Sequence, residues 1–361
     1  MDAAFQSGKW ELDTPALLLD LRALEENIQR MATFMSGQAA GLRPHAKTHK
    51  CPEIARRQLA AGAVGITCAK LGEAEALADV AGDILIANQI VGPAKIQRLV
   101  ALRRRCDVMV AVDDPGNIGH LSQAALGAGV TLRVLVEVDV GMGRCGVRSA
   151  EEALTLARQV DASPGLQFCG LQGYEGHAVM IPDFEERRAA VHKAMSFLTE
   201  VKAFIQDSGL PVHIVSGGGT GTYSITGQFP GVDEVQVGSY ATMDARYRTI
   251  VPEFRPALSL LATVISRPAP DRAITDAGMK VLTTEFGMPP VAWPEGLQTM
   301  KLSEEHGTLD GPGASRLKVG DKVELIPSHG CTTINLHERY HVIDGETLVD
   351  IWPVDARGRS R

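Results

Sequence analysis

The 361-residue chain predicts an α/β fold, a (β/α)8 TIM-like barrel followed by a mostly-β domain. Three observations carry this expectation. Eight short apolar runs recur from Gly41 onward, amphipathic stretches separate most of them, and after about Pro252 apolar runs continue without long helices between them. Continuous apolar runs alternating with helical patterns read as βα units whose strands are buried on both faces of a parallel sheet. The other arrangement open to such units is an open doubly wound sheet.

The eight runs are LRPHAK (42–47), GITCAK (65–70), ILIANQ (84–89), VMVAVDD (108–114), LRVLVEVDV (132–140), FCGLQGYEG (168–176), HIVSGGG (213–219) and VQVGSY (235–240). PEIARRQLAAGA after Lys50 and PAKIQRLVALRRR after Gly92 are amphipathic connections, and the stretch from Asp183 ends on Gly209, where a helix C-cap belongs. The runs ALSLLATVISRP, AITDAGMK, KVELIPS and ETLVDIWPV form the β region, with Asp344-Gly345 as a hairpin signal. The early run TPALLLDL fits either domain. The expected limits are residues 20–250 for the barrel and 1–19 plus 251–361 for the β domain.

Composition excludes several classes. Lys and Arg number 36 against 43 Asp and Glu, a formal charge of −7, so there is no basic face for non-specific nucleic-acid binding. Hydrophobic residues at 45% support a large core rather than disorder. The opening MDAAFQSGKWELD lacks the pattern of a secretory signal, and no run of about eighteen apolar residues reads as a membrane span. With six scattered cysteines read as reduced thiols, a cytoplasmic protein with no membrane partner is expected. Aromatic residues at 5% beside 37 glycines favour ligand sites lined by backbone over stacking platforms.

Polar residues collect at the C-terminal ends of the eight runs: Lys47, Lys70, Gln89, Asp113, Asp139, Tyr174, the glycines after Ser216, and Tyr240. In a barrel this is the rim on which active sites are built, although loops also begin with polar residues. RPHAKTHK crowds His45, Lys47, His49 and Lys50. Strand alternation would put His45, Lys47 and His49 on one face, and cationic neighbours favour the free amine that Schiff-base chemistry needs. A solvated basic loop is the plainer alternative. SGGGTGTY from Ser216 to Tyr223 could cradle a phosphate with backbone N–H groups and the Thr220 and Thr222 hydroxyls, or be a structural glycine turn. Arg144, in VDVGMGRCGV, could pair with a phosphate, carboxylate or phenolate oxygen, or simply face solvent. PSHGC sets His329 and Cys331 two residues apart, a spacing that lets both reach one metal on an extended strand. Four protein ligands are not visible, so the functional version is a partly open site, with His306 and His337 as possible neighbours.

Together these segments resemble the pyridoxal-phosphate enzymes of the alanine racemase-like fold, in the group containing D-threonine aldolase, 3-hydroxy-D-aspartate aldolase and D-serine dehydratase. The resemblance rests on DTPALLLDL, RPHAKTHK, VGPAKI, VLVEVDVGMGRCGV, GLQGYEG, SGGGTGTY, GSYATMDARY, DAGMK, EHG, PSHGCTTINLHERY and IWPVDARG, which run in order from residue 13 to near the C-terminus. It implies that Lys47 binds pyridoxal 5′-phosphate covalently. It implies that the backbone of Gly218, Gly219 and Thr220, with Ser239 and Tyr240, holds the phosphate. Arg144 would lie near the cofactor's phenolic oxygen and Tyr174 near its pyridine nitrogen, where a tyrosine in place of a cationic donor suits α,β-chemistry more than racemisation. His329 and Cys331 would bind a divalent metal, zinc or manganese with magnesium as a further option, beside the substrate's β-hydroxyl. The family pairs as a homodimer.

One departure stands out. The aldolases usually carry His-x-Asp where this chain has His329 and Cys331, a pair that resembles the dehydratase branch, and a thiolate favours zinc over manganese or magnesium. The loop EGHAVMIPD after Tyr174 matches neither branch, and its His177 is either a base for the β-hydroxyl or a packed polar residue. The rest of the chain, including IWPVDARG, resembles the aldolases more, so the expected activity is a lyase that cleaves D-β-hydroxy-α-amino acids to glycine and an aldehyde. The alternative is a D-serine or D-threonine dehydratase (an ammonia-lyase) using the same lysine and metal. A non-enzymatic pyridoxal-phosphate carrier, which would resemble the barrel alone, and a racemase are more distant readings.

Overall fold

The computed structural model describes residues 8–361. The first seven residues, on which part of the signal-sequence reading and of the 1–19 domain assignment falls, lie outside the described residues. The chain enters through β1 (Ala16–Asp20) and α1 (Leu21–Ser36). It then alternates through β2 (Gly41–Leu42), α2 (Pro52–Ala60), β3 (Ile66–Cys68), α3 (Leu71–Leu77), β4 (Asp83–Gln89), α4 (Pro93–Leu102), β5 (Asp107–Val112) and α5 (Pro115–Ala128). The alternation continues with β6 (Leu132–Glu137), α6 (Ala150–Asp161), β7 (Leu166–Gly173), α7 (Phe184–Asp207), β8 (Ile214–Gly217), α8 (Tyr223–Thr226) and β9 (Glu234–Val235).

Strands β2 to β9 each overlap one of the eight apolar runs, β2 and β9 by a single residue. They pair in parallel in the order β2-β9-β8-β7-β6-β5-β4-β3. Beyond β2 the chain pairs His45 with Thr67 of β3, and Ala46 N donates to Thr67 O at 2.8 Å, so the two ends of the sheet meet. That closure selects the barrel over the open sheet. Helix starts follow local chemistry: Asp114, Ser149 and Asp183 cap α5, α6 and α7 by accepting from the amide three residues on.

An ion-pair network joins the strand starts, at the end of the barrel away from the rim. Buried Arg43 donates through Nε to both oxygens of Glu234 at 2.9 Å and through Nη1 to Asp83 at 2.8 Å. Arg133 joins Asp83 at 2.6 Å and Asp107 at 3.0 Å. Gly65 makes room for this network, because a Cβ there would come 2.1 Å from Arg43 Nη1.

The rest of the chain forms β10 (Leu258–Ala269), β11 (Arg272–Thr275), β12 (Val291–Trp293), β13 (Gln298–Leu302), β14 (Gly307–Asp310), β15 (Lys322–Leu325), α9 (Gly330–Ile334), β16 (Arg339–Asp344) and β17 (Thr347–Pro353). Its sheet runs β13-β14-β11-β10-β1-β16-β17, with β15 paired to β10 and β12. TPALLLDL therefore belongs to this sheet, as β1 between β10 and β16. Strands β12 to β14 escaped the sequence reading because they are short, and β12 and β13 are largely exposed. The β16–β17 hairpin turns at Gly345, whose φ of 64° is the left-handed conformation glycine adopts freely.

By compactness, the described residues divide into one unit of 8–30, 48–51 and 239–357 and another of 31–47, 52–238 and 358–361. The divides expected at 20 and 250 thus differ from these. Asn27 explains part of the difference: its amide donates to the carbonyls of Ala241 and Arg255 at 3.1 and 2.7 Å, tying early α1 to the segment after residue 238. Segment 48–51 is held by the Tyr340 hydroxyl donating to His49 O at 2.7 Å and by Ala356 N donating to Lys50 O at 3.1 Å.

Candidate active site

The barrel unit places Lys47, Arg144 and Tyr174 together on the rim. Lys47 Nζ lies over the Tyr174 ring, 5.7 Å from its centre, and the Arg144 guanidinium carbon lies 5.7 Å from the same centre. The ring is seated between glycines. A Cβ on Gly176 would come 2.4 Å from Tyr174 Cε1, and one on Gly219 would come 3.2 Å from Cε2.

Local folding differs from expectation around the lysine. Residues 46–49 form a turn rather than a continued strand, so alternation does not set His45, Lys47 and His49 on one face. Both imidazoles instead fold back on the chain: His45 Nδ1 accepts from Lys47 N at 3.5 Å and His49 Nδ1 from Cys51 N at 3.2 Å. Arg144 is exposed on a loop shaped by Asp139, whose Oδ1 accepts from Gly141 N and Gly143 N at 3.1 and 3.0 Å. Burial pushes the Asp139 carboxyl up, but the amides of Gly143, Gly141 and Met142 bring it below the ordinary range. His177 is exposed in the turn after β7 and lies against that loop, since a Cβ on Gly141 would come 2.9 Å from His177 Cε1. On the neighbouring strands, burial raises the Glu137 carboxyl above the ordinary range against the opposing effects of Gln89 and Arg144.

The glycine loop is braced from behind by a carboxyl group that no motif announced. Fully buried Glu175 accepts from Gly218 N at 3.1 Å, from Thr222 Oγ1 at 2.7 Å and from Thr226 Oγ1. Gly219 N donates to Thr222 Oγ1 at 3.1 Å. The amides of Gly218 and Gly219 are thus engaged within the loop, while Thr220 lies buried at its apex.

In the other unit, His329 occupies the N-cap position of α9 and Cys331 lies in its first turn. His329 Nδ1 bonds Glu285 Oε1 at 2.7 Å, and its ring stacks on Phe286 with centres 4.2 Å apart. Burial alone would lower the His329 pKa, but the Cys331 thiol, Asp244 and Glu285 push it up to about 9. The Cys331 thiol donates to Thr48 Oγ1 at 3.4 Å, and Ser239 Oγ lies 4.0 Å from it. Asp244, also buried, accepts from Gly330 N at 3.0 Å and Tyr247 N at 2.7 Å, so a hidden carboxyl holds the amide between the histidine and the cysteine.

Ser239 and Tyr240 belong to this unit rather than to the barrel unit, and Tyr240 is fully buried, edge-on to Phe254. His306 and His337 do not join His329. His306 is exposed, and His337 Nε2 is engaged with Val281 O at 2.8 Å. Among the described residues no group of three or more His, Cys, Asp and Glu could hold a metal ion, and the six cysteines form no disulfide. Burial pushes the Cys106 thiol up to about 11, which suits an inert core residue.

Comparison with known proteins gives a consistent set of relatives. Residues 19–246 match the alanine racemase N-terminal domain family, and residues 257–343 match the serine dehydratase domain family. The chain is 42% identical to D-threonine aldolase of Arthrobacter sp over 97% of its length and 94% of that protein's. It is 38% identical to 3-hydroxy-D-aspartate aldolase of Paracoccus denitrificans, covering 97% and 93%. The crystal structure of D-threonine aldolase from Filomicrobium marinum superposes with a TM-score of 0.96 at 40% identity, covering 99% of each chain. D-threo-3-hydroxyaspartate dehydratase from Delftia sp. HT23 superposes with a TM-score of 0.89 at 30% identity, covering 96% and 99%. That dehydratase is also solved as a His→Ala variant and, two positions further on, as a Cys→Ala variant in the metal-free form. The chain belongs to the alanine racemase-like pyridoxal-phosphate enzymes, in the group of the D-threonine and 3-hydroxy-D-aspartate aldolases and their dehydratase relatives.

Proposed function

We propose that this protein is a pyridoxal-phosphate- and divalent-metal-dependent lyase that cleaves D-β-hydroxy-α-amino acids to glycine and an aldehyde. The observation that carries the reading is a lysine amine over the Tyr174 ring in a chain 42% identical to a D-threonine aldolase. The residues suit the cofactor. Lys47 and Arg144 beside the Tyr174 ring offer the positive charge an anionic ligand needs, and Gly219 packs against the same ring, where a Cβ would come 3.2 Å from Cε2. When bound, the cofactor supplies an electron sink for the Cα–Cβ bond electrons.

The chain's own residues then have defined tasks. Lys47 Nζ would hold the cofactor covalently. Arg144 would donate toward the cofactor's phenolic oxygen, and the Tyr174 hydroxyl would serve its pyridine nitrogen. Gly218 and Gly219 contribute shape rather than donors, because their amides are engaged by Glu175 and Thr222. Phosphate hydrogen bonds would come from Thr220 onward, with Ser239 and Tyr240 as further donors. His177 is the candidate base for the β-hydroxyl proton.

His329 and Cys331 suit a metal with open positions. Glu285 on His329 Nδ1 leaves Nε2 as the ligating nitrogen, the arrangement that fixes the tautomer of metal-binding histidines. A soft thiolate beside an imidazole selects zinc over manganese or magnesium. A metal there supplies Lewis acidity to the β-hydroxyl. We further propose a cytoplasmic homodimer that takes small D-β-hydroxy amino acids.

A dehydratase is the second reading, favoured by the His-x-Cys pair. The dehydratase variants altered at a histidine and at a cysteine two residues on have the spacing of His329 and Cys331. Incubation with D-threonine separates the two. Glycine with acetaldehyde supports cleavage, whereas 2-oxobutanoate with ammonia overturns it. Turnover that a chelator removes and metal restores excludes a non-enzymatic carrier.

A further inference from the structure

We infer that Glu175 is the positioning residue that pre-forms the phosphate loop, so that the arch from Gly219 to Gly221 has its binding shape before the cofactor arrives. The inference rests on the pyridoxal-phosphate reading above. Glu175 is fully buried, and all three of its hydrogen-bond donors lie in one nine-residue segment: Gly218 N, Thr222 Oγ1 and Thr226 Oγ1. A buried carboxyl group is costly unless every acceptor position is answered, so such a residue is kept where it shapes something. Here it grips both feet of the arch. Gly218, at φ 83°, turns its amide inward to the carboxyl, and Thr222, the first residue after the arch, donates from the other side.

Thr222 passes the order on, because its hydroxyl oxygen also accepts from Gly219 N. The arch is steadied on its remaining flank by two close approaches. A Cβ on Gly219 would come 3.2 Å from the Tyr174 ring, and one on Gly221 would come 1.9 Å from Val179 O. Tyr174 and Glu175 are consecutive, so the residue under the lysine and the residue behind the loop are fixed by the same turn. A glycine-rich loop left to itself loses much conformational entropy on ordering. Glu175 moves that loss to the folding step, where ligand binding does not bear it.

The test compares two ligands that differ only in the phosphate, pyridoxal 5′-phosphate and pyridoxal, titrated into the full-length cofactor-free protein and followed by visible absorbance. Melting temperature and the 31P shift of the bound cofactor are read in parallel. Glu175→Gln is expected to weaken the phosphate form by about tenfold, the scale of one lost charge-assisted hydrogen bond, and to move the 31P shift. Pyridoxal affinity should stay the same. Equal weakening of both ligands, or a lowered melting temperature with both affinities intact, overturns the inference. Should Glu175→Gln not fold, Thr222→Val decides it by the same ligand comparison. A wild-type protein that binds pyridoxal 5′-phosphate without a Lys47-dependent visible band overturns the cofactor reading itself, and this inference with it.

Discussion

Lys47 and Arg144 approach one aromatic ring from equal distances: the lysine Nζ and the guanidinium carbon each lie 5.7 Å from the centre of Tyr174. Lys47→Ala is expected to abolish the visible absorbance of bound cofactor and lower turnover by about 10⁴-fold or more, the scale on which covalent nucleophiles matter. Lys47→Arg keeps the charge and should fail equally. A retained visible band in either variant would remove Lys47 from its assigned role.

Gly176→Ala should disturb the same site from below, since the new Cβ would stand 2.4 Å from the Tyr174 ring. The expected cost is about 1–3 kcal/mol of stability, typical of overpacking, with a shift in the cofactor absorbance maximum. Thermal unfolding and the visible spectrum check it. An unchanged spectrum would mean that the ring's seat does not govern the cofactor's surroundings.

Cys331→Ala should retain the visible band and lose metal-dependent activity. Cys331→Asp should restore activity while moving preference toward manganese or magnesium, which take oxygen ligands. Metal content after dialysis and reactivation after chelation provide the measurement. Full activity in Cys331→Ala would show that PSHGC binds no catalytic metal.

Asp139 sets a pH dependence. Its folded-state pKa lies below the ordinary carboxylate value, with the amides of the Arg144 loop prevailing over burial. A depressed acid contributes stability that is present above its unfolded value of about 3.9 and is lost as pH falls through the lower folded value. Asp139→Asn should therefore cost less than about 1 kcal/mol at neutral pH, a figure kept small by nearby solvent, and the gap should close in acid. Denaturant unfolding at pH 7 and at successively lower pH measures the difference, and a gap that does not narrow as pH falls below the unfolded value would refute it.

Arg43→Met should destabilise the barrel by about 3–5 kcal/mol, because it leaves buried Glu234 without its counter-charge. The cofactor spectrum should stay unchanged in whatever protein remains folded, since this network lies at the strand starts and not on the rim. Urea unfolding followed by circular dichroism tests the first part, and absorbance tests the second.

Much of the fold was legible in sequence because it depends on local pattern. Eight apolar runs such as ILIANQ and VMVAVDD need only their own composition to read as buried parallel strands. Lys47, Tyr174 and the glycines after Ser216 were visible as polar or permissive residues at strand ends. Three carboxyl groups were not: Glu175, Asp244 and Glu285 each act through partners far along the chain, and an isolated acidic residue looks the same in sequence whether it braces a loop or faces water. The turn at 46–49 escaped for a related reason, since it forms where the barrel closes between β2 and β3.

The sequence by itself determined the βα alternation, the mostly-β region after it, and the residue types offered for chemistry, all of which follow from the spacing of apolar and polar side chains. Only the tertiary structure decided that the sheet closes, that β1 joins the second sheet, that Arg43 lies between Glu234 and Asp83, and that Glu175 holds the glycine loop. These are pairings across 22 to 323 positions of chain, and the free energy of each depends on burial and on which donors meet which acceptors, which residue spacing does not encode.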